Sequence, residues 1–238
     1  MDLMTLAMTS KIMGGGGSSG GEPLDLCIEG DRAEVNLPNA TKIKQYAFYQ
    51  DKTLGNIAMP NVTSIGVNAF RTCSILASAE MPNVTSIGNT AFYGCTLLAL
   101  NKLPNVITIG NEVFYGCKAI TSIEMPNVTS IGDSAFSYLN LTEIYFPKLE
   151  TVASQAFRGC KFTSLVFPST LKTIGSWAFR GITALTSVTF EGAPTSFSAD
   201  AFNDNTNLTT INVPWAEGAV ANAPWGATNA TINYNYKG

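Results

Sequence analysis

The stretch MPNVTSIGVNAFRTCSILASAEM, residues 59–81, holds the fold in miniature, because most of it returns one unit later. MPNVTSIG starts again at Met81 and at Met125, and LPNVITIG starts at Leu103. Aligned on one aromatic, the chain sets Phe48, Phe70, Phe92, Phe114, Phe136, Phe157, Phe179 and Phe202 at successive gaps of 22, 22, 22, 22, 21, 22 and 23 residues. Prolines keep the same beat from Pro38 to Pro168. A period in the range of roughly 20–50 residues marks stacked repeats, since one such unit cannot bury its own apolar edge and must lie on copies of itself.

Each unit reads as strand, turn, short helix and return. Ile57 and Met59 alternate with Ala58, the period of a strand with one buried side. Pro60 has no N–H for a ladder, and Asn61 suits the turn that follows. Ile65 points back inward, and Gly66 allows a backbone turn that a side chain would resist. Ala69, Cys73 and Leu76 stand at i, i+4 and i+7, one face of about two helical turns. The predicted fold class is an α/β repeat. It has one short strand and one short helical segment per ~22-residue coil, with a parallel sheet on one face. The eight phenylalanines form its structural core.

Three regions follow from this reading. Residues 1–22 form a flexible N-terminal segment, with the linker GGGGSSGG at 14–21. Residues 23–213 form about eight coils. Residues 214–238 form a C-terminal cap, in which Trp215 and Trp225 sit in Pro-Trp steps ahead of the alternating Ile232, Tyr234 and Tyr236. The slot three residues after each Phe holds Asp51, Cys73, Cys95, Cys117, Leu139, Cys160, Ile182 and Asn205. Polar Asp51 and Asn205 are expected where the ends meet water.

The pattern P-N-V-T-S-I-G-x-x-A-F-x-x-C-x-x-L, read from Pro60 and recurring over roughly residues 24–213, resembles the BspA-like leucine-rich repeat family. The resemblance implies a single right-handed leucine-rich-repeat solenoid. It also implies a non-enzymatic binding module: a cell-surface or secreted bacterial adhesion protein recognising protein or glycan. Similar repeats occur in phage and prophage structural proteins, and the run from Val213 resembles a tail found in gut-bacterial and prophage-type sequences. The alternative it implies is a structural or receptor-binding component of a phage particle, located on the virion.

Composition removes several function classes. Only 13% of the 238 residues are charged and the net charge is −3, which argues against nucleic acid as a partner. The chain has no histidine, so imidazole bases and His-ligated metals are absent. No apolar run nears the ~20 residues of a membrane span. Residues 1–13, MDLMTLAMTSKIM, fit a secretory leader poorly, with Asp2 early and Lys11 late. The glycine run lacks GxxxxGK[ST], so no nucleotide or other cofactor is expected. Four of the five cysteines fill a slot that also takes Leu139 and Ile182, which reads as buried reduced thiols. Neighbouring coils nonetheless bring such Cα atoms to ~5 Å, within disulfide reach. Asn61, Asn83 and Asn127 match a glycosylation acceptor, but their place in the turn accounts for them.

What remains is surface. Counting back from each Phe places Glu80, Leu100, Lys102, Glu124, Glu143, Tyr145 and Val166 on the outer side of the sheet, a candidate ligand-binding face or else a plain solvated one. Tyr145 is the expected anchor, because aromatic residues dominate interface hot spots. The same count puts Asn101 inward, so either the strand shifts register there or Asn101 is buried with hydrogen-bond partners. A second strip follows the phenylalanines: Tyr49, Arg71, Tyr93, Tyr115, Tyr138, Arg158 and Arg180. It reads as an interface or as stems shielding the core.

Overall fold

The structure, a computed structural model, describes residues 34–238. The N-terminal segment 1–22, the first residues of the repeat region and Cys27 lie outside them.

The chain winds as a parallel β-solenoid of about nine turns. Its first sheet side carries the alternating strands expected from the sequence. Glu34–Asn36, Asn56–Ala58 and Ser78–Glu80 form one group, with Val35, Ile57 and Ala79 in register. Ser122–Glu124 pairs with Glu143–Tyr145. Ser164–Phe167, Ser187–Phe190, Thr210–Asn212 and Thr231–Asn233 form a third group. Inward Val35, Ile57, Ile123, Leu165, Val188 and Ile211 are buried.

A second sheet, not expected from the sequence, lines the other side. Eight two-residue strands run unbroken from Lys42–Ile43 to Ser196–Phe197. The isoleucine of each TSIG step lies over that of the next, Ile43 on Ile65, Ile65 on Ile87 and Ile87 on Ile109. The parallel sheet therefore occupies two faces, not one.

The segment around each Phe is not helical. In the coil of Phe70, the N–H groups of Ala69, Arg71 and Cys73 donate within the coil, to the carbonyls of Gly66, Asn68 and Phe70 at 3.3, 3.2 and 3.1 Å. The alternate N–H groups of Asn68, Phe70 and Thr72 donate to Asn89, Ala91 and Tyr93 of the next coil at 3.1, 2.7 and 2.7 Å. An α-helix would keep every donor inside the segment, bonded four residues back. Here every second donor leaves, and Asn68 and Thr72 take φ of 56° and 58° to make this happen. A non-glycine residue held there costs on the order of 1–3 kcal/mol. Glycine takes the second of these positions at Gly94, Gly116, Gly159 and Gly181, where it removes the strain.

The glycine of TSIG has another reason to be there. Its φ is not positive; the neighbouring coil simply passes too close. A Cβ on Gly88 would lie 2.6 Å from the Val67 nitrogen, and one on Gly175 would lie 2.7 Å from the Ser154 nitrogen.

The phenylalanine column is continuous. Ring centroids from Phe48 to Phe202 are separated by 5.0, 5.0, 5.6, 5.5, 5.3, 5.3 and 5.4 Å, with planes within 24° of parallel. Polar ladders run beside it. Asn61, Asn83, Asn105 and Asn127 each donate from Nδ2 to the carbonyl of the preceding coil's proline, at 2.7, 2.7, 2.9 and 2.8 Å. That bond, one coil to the next, accounts for the asparagine of the Pro-Asn step.

At the C-terminal end, Trp225 is buried and stacks on Phe197 at 4.4 Å, with the Thr231–Asn233 strand in register on Thr210–Asn212. Asn205 was expected to face water. It is instead buried, donating from Nδ2 to the Phe179 carbonyl at 2.9 Å and accepting from the Ile182 N–H at 2.6 Å. Both ends of its amide are satisfied, so burial carries little penalty.

Candidate functional site

The outer side of the first sheet is built by strand alternation. With Ile123 and Ile144 directed at the core, Glu124, Glu143 and Tyr145 must face out. Glu80, Lys102, Glu124 and Glu143 are exposed, Tyr145 is 58% exposed and Val166 61%. Tyr145 stands in register with Glu124, and Glu143 with Ser122. Lys102 lies 3.7 Å from the Glu124 carboxylate, an exposed pair that contributes at most about 1 kcal/mol. Glu143 enters no ion pair among the described residues.

One assignment is corrected. Leu100 is turned partly inward, half-buried against the core while still lining a hollow on this face, and Asn101, counted inward, is exposed. Burying an unpaired amide among Ala79, Met81 and Ile123 costs several kcal/mol, so the coil gives up its strand and turns the neighbouring leucine in. The backbone follows. Met59, Leu103 and Met125 each donate to the next coil, at 2.8, 2.9 and 3.1 Å. Among the described residues, no such bond joins Met81 to Lys102. One shallow hollow of about 420 Å³ spans the break, between residues 78–82 and 99–104; another, of about 280 Å³, is lined by Lys102, Glu124, Glu143 and Tyr145. A second break separates Glu143–Tyr145 from Ser164–Phe167. The sequence flagged Asn101 as anomalous, but nothing in it disclosed the hollows.

The thiols sit elsewhere. Cys73, Cys95, Cys117 and Cys160 are free and buried, each donating to the carbonyl of an earlier Phe at 2.8–3.1 Å. The hydrogen bond to Cys95, followed by burial, pushes the Cys73 thiol up; burial does the same to Cys117 and Cys160. A nucleophilic or metal-binding thiolate requires the opposite shift. Thiol labelling of native protein is therefore expected to miss these four, and denaturant to release them. Rapid native labelling at any of the four would contradict the buried ladder. Among the described residues no three Cys, Asp or Glu side chains gather into a metal-binding group, and no helix is long and apolar enough to cross a membrane.

On the turn side the second strip forms a stack. The Arg71 guanidinium lies 4.7 Å from the Tyr93 ring centre, Tyr93 stacks on Tyr115 at 4.8 Å, Tyr115 meets Tyr138 edge-on at 5.4 Å, and Arg158 lies 5.4 Å from Tyr138. Arg180 instead covers Trp177 and pairs with Asp204. Tyr49 packs edge-on against Tyr46.

Comparison with known proteins follows the fold. A leucine-rich cell surface protein from Faecalibacterium prausnitzii A2-165 superposes with a TM-score of 0.65 at 23% identity, over 77% of this chain and 64% of its own. The present chain thus spans just under two thirds of that protein. A leucine-rich repeat protein from Bacteroides ovatus ATCC 8483 gives 0.55 at 19% identity, over 85% and 69%. At these identities the likeness is one of fold. No curated protein sequence matches. The profile of the BspA-type leucine-rich repeat region matches residues 41–154 and 150–217 in six copies, most of the chain, and the protein belongs to that family.

Proposed function

We propose that this protein is a non-enzymatic binding module, displayed on a bacterial surface or secreted, that recognises a protein or glycan through its first sheet face. The observation that carries the reading is Tyr145, an aromatic ring 58% exposed above a hollow whose rim also holds Lys102, Glu124 and Glu143. A side chain of that size left in water at the centre of a rigid face suits an anchor, and interface hot spots are enriched in tyrosine. The repeat supports the role by presenting a broad surface whose coils are joined by backbone hydrogen bonds. The similarity to a cell surface protein supports the location.

The test is binding of the purified chain to glycan and matrix-protein arrays, repeated with Tyr145→Ala and Glu143→Lys. Tyr145→Ala is expected to weaken the ligand found by about tenfold or more. Both side chains are exposed, so melting temperature is expected to stay near wild type. Undiminished binding by both variants would remove this face from the function.

A further inference from the structure

We propose that the turn side carries a second, independent binding surface, for an anionic glycan laid along the solenoid axis on the ribbon Arg71–Tyr93–Tyr115–Tyr138–Arg158. The ribbon crosses five consecutive coils without a gap. Its continuity is not a by-product of core packing. In the coil of Phe136, the slot after the phenylalanine holds buried Ser137, and Tyr138 continues the stack from the next position with φ of 62°. The core there is already closed by the serine, yet the ribbon is kept.

Its two ends are positive and fixed. Arg71 donates from Nη1 to Asn68 Oδ1 at 3.2 Å, and Arg158 donates from Nη1 to Gln155 Oε1 at 2.9 Å. Both partners are neutral amides, and neither arginine enters an ion pair among the described residues, whereas Arg180 is tied to Asp204 at 2.7 Å. A guanidinium held over an aromatic ring and tied to a neutral amide keeps its charge and further N–H groups, pre-organised for a planar carboxylate or a sulfate. Between them the Tyr93 and Tyr115 faces cover each other, with planes 1° apart. Their edges, which bear the phenolic oxygens, are what remains for a ligand.

Spacing selects the polymer. Rungs follow at 4.8–5.4 Å, so the arginines stand on the order of 20 Å apart along the stack. A pyranose chain advances about one ring per rung. An extended acidic peptide presents same-face side chains only every ~6.6 Å, out of step with the rungs. The fixed charges lie at the two ends of the ribbon, so the fitting glycan is one long enough to present an anionic group to each.

Titration calorimetry with hyaluronan octasaccharide, heparin octasaccharide, neutral dextran and polyglutamate tests this, the first two distinguishing carboxylate from sulfate. Wild type is expected to bind at least one anionic glycan, with affinity falling as salt rises, and to prefer it to dextran and polyglutamate. Arg71→Gln with Arg158→Gln is expected to weaken it about tenfold or more. Arg71→Lys with Arg158→Lys, which keeps the charges but loses the planar fork, is expected to bind between the wild type and the double glutamine variant. Tyr145→Ala on the sheet face is expected to leave it unchanged, which separates this surface from the one proposed above. Failure of both anionic glycans to bind, equal binding of polyglutamate, or indifference to the arginine changes would each overturn the proposal.

Discussion

Phe114→Ala is expected to lower the unfolding free energy by ~3–5 kcal/mol. Phe114 is completely buried, with Phe92 at 5.6 Å on one side and Phe136 at 5.5 Å on the other. Truncation opens a cavity between two coils that cannot collapse. The backbone around it is pinned to its neighbours, for example by Phe114 N–H to the Ala135 carbonyl at 2.9 Å. A stack also has a weakness that a globule lacks: each coil touches only the next, so a void at mid-column uncouples the halves it separates. The urea transition should move to lower concentration and broaden. Phe114→Leu, which restores most of the volume, should lose less than about 2 kcal/mol. A loss below about 1 kcal/mol for the alanine variant would mean that the rings merely lie near one another and contribute little to holding the coils together.

The period and the inward positions were legible in the sequence because every coil repeats them. The conformation between them was not. Ala69, Cys73 and Leu76 face inward at a helical spacing, but a chain of tight turns with left-handed residues at Asn68 and Thr72 gives the same inward set. The two differ in where the N–H donors go, which side-chain polarity does not encode. The second sheet was hidden for a related reason: two residues are too few to show an alternation. Asn205 illustrates a further limit. Its amide looks like a residue for water, yet a coil that offers one donor and one acceptor at the right places buries it as readily as a cysteine. Asn101 is the converse, an amide without such partners, and there the coil yields.

The candidate surfaces follow from the same accounting. Regular polar residues are used up by the stack: the asparagines of Pro-Asn bond the previous proline carbonyl, and Thr63 and Thr85 bond the threonine carbonyls one coil back at 3.2 and 3.1 Å. A ligand must therefore be met by residues that break the repeat. Tyr145, Lys102 and Glu143 are the residues that break it on the proposed sheet face, and Arg71 and Arg158 are those on the proposed turn-side ribbon.

Trp225→Ala is expected to cost a similar ~3–5 kcal/mol, though it lies beyond the last phenylalanine of the column. No phenylalanine follows Phe202 at the repeat spacing, and in the coil laid on it an indole takes up the apolar contact. Trp225 is completely buried, parallel to Phe197 within 5° at 4.4 Å, and 6.3 Å from Trp215. Its Nε1 donates to the Ala221 carbonyl at 2.7 Å, and its own carbonyl accepts the Phe202 N–H at 2.9 Å. Alanine keeps the backbone bond, removes the indole's hydrogen bond and bares Phe197 to water. Trp225→Phe should retain most of the stacking and lose mainly the hydrogen bond, about 1 kcal/mol. The loss should also be local. Hydrogen exchange is expected to accelerate first in Thr231–Asn233 and Thr210–Asn212, with the strands before Phe136 protected until global unfolding. If Trp225→Ala instead melts with the wild type and leaves exchange at the C-terminal strands unchanged, the end of the stack must be closed by Trp215 and the aliphatic residues around it, and the indole would be a passenger in its pocket.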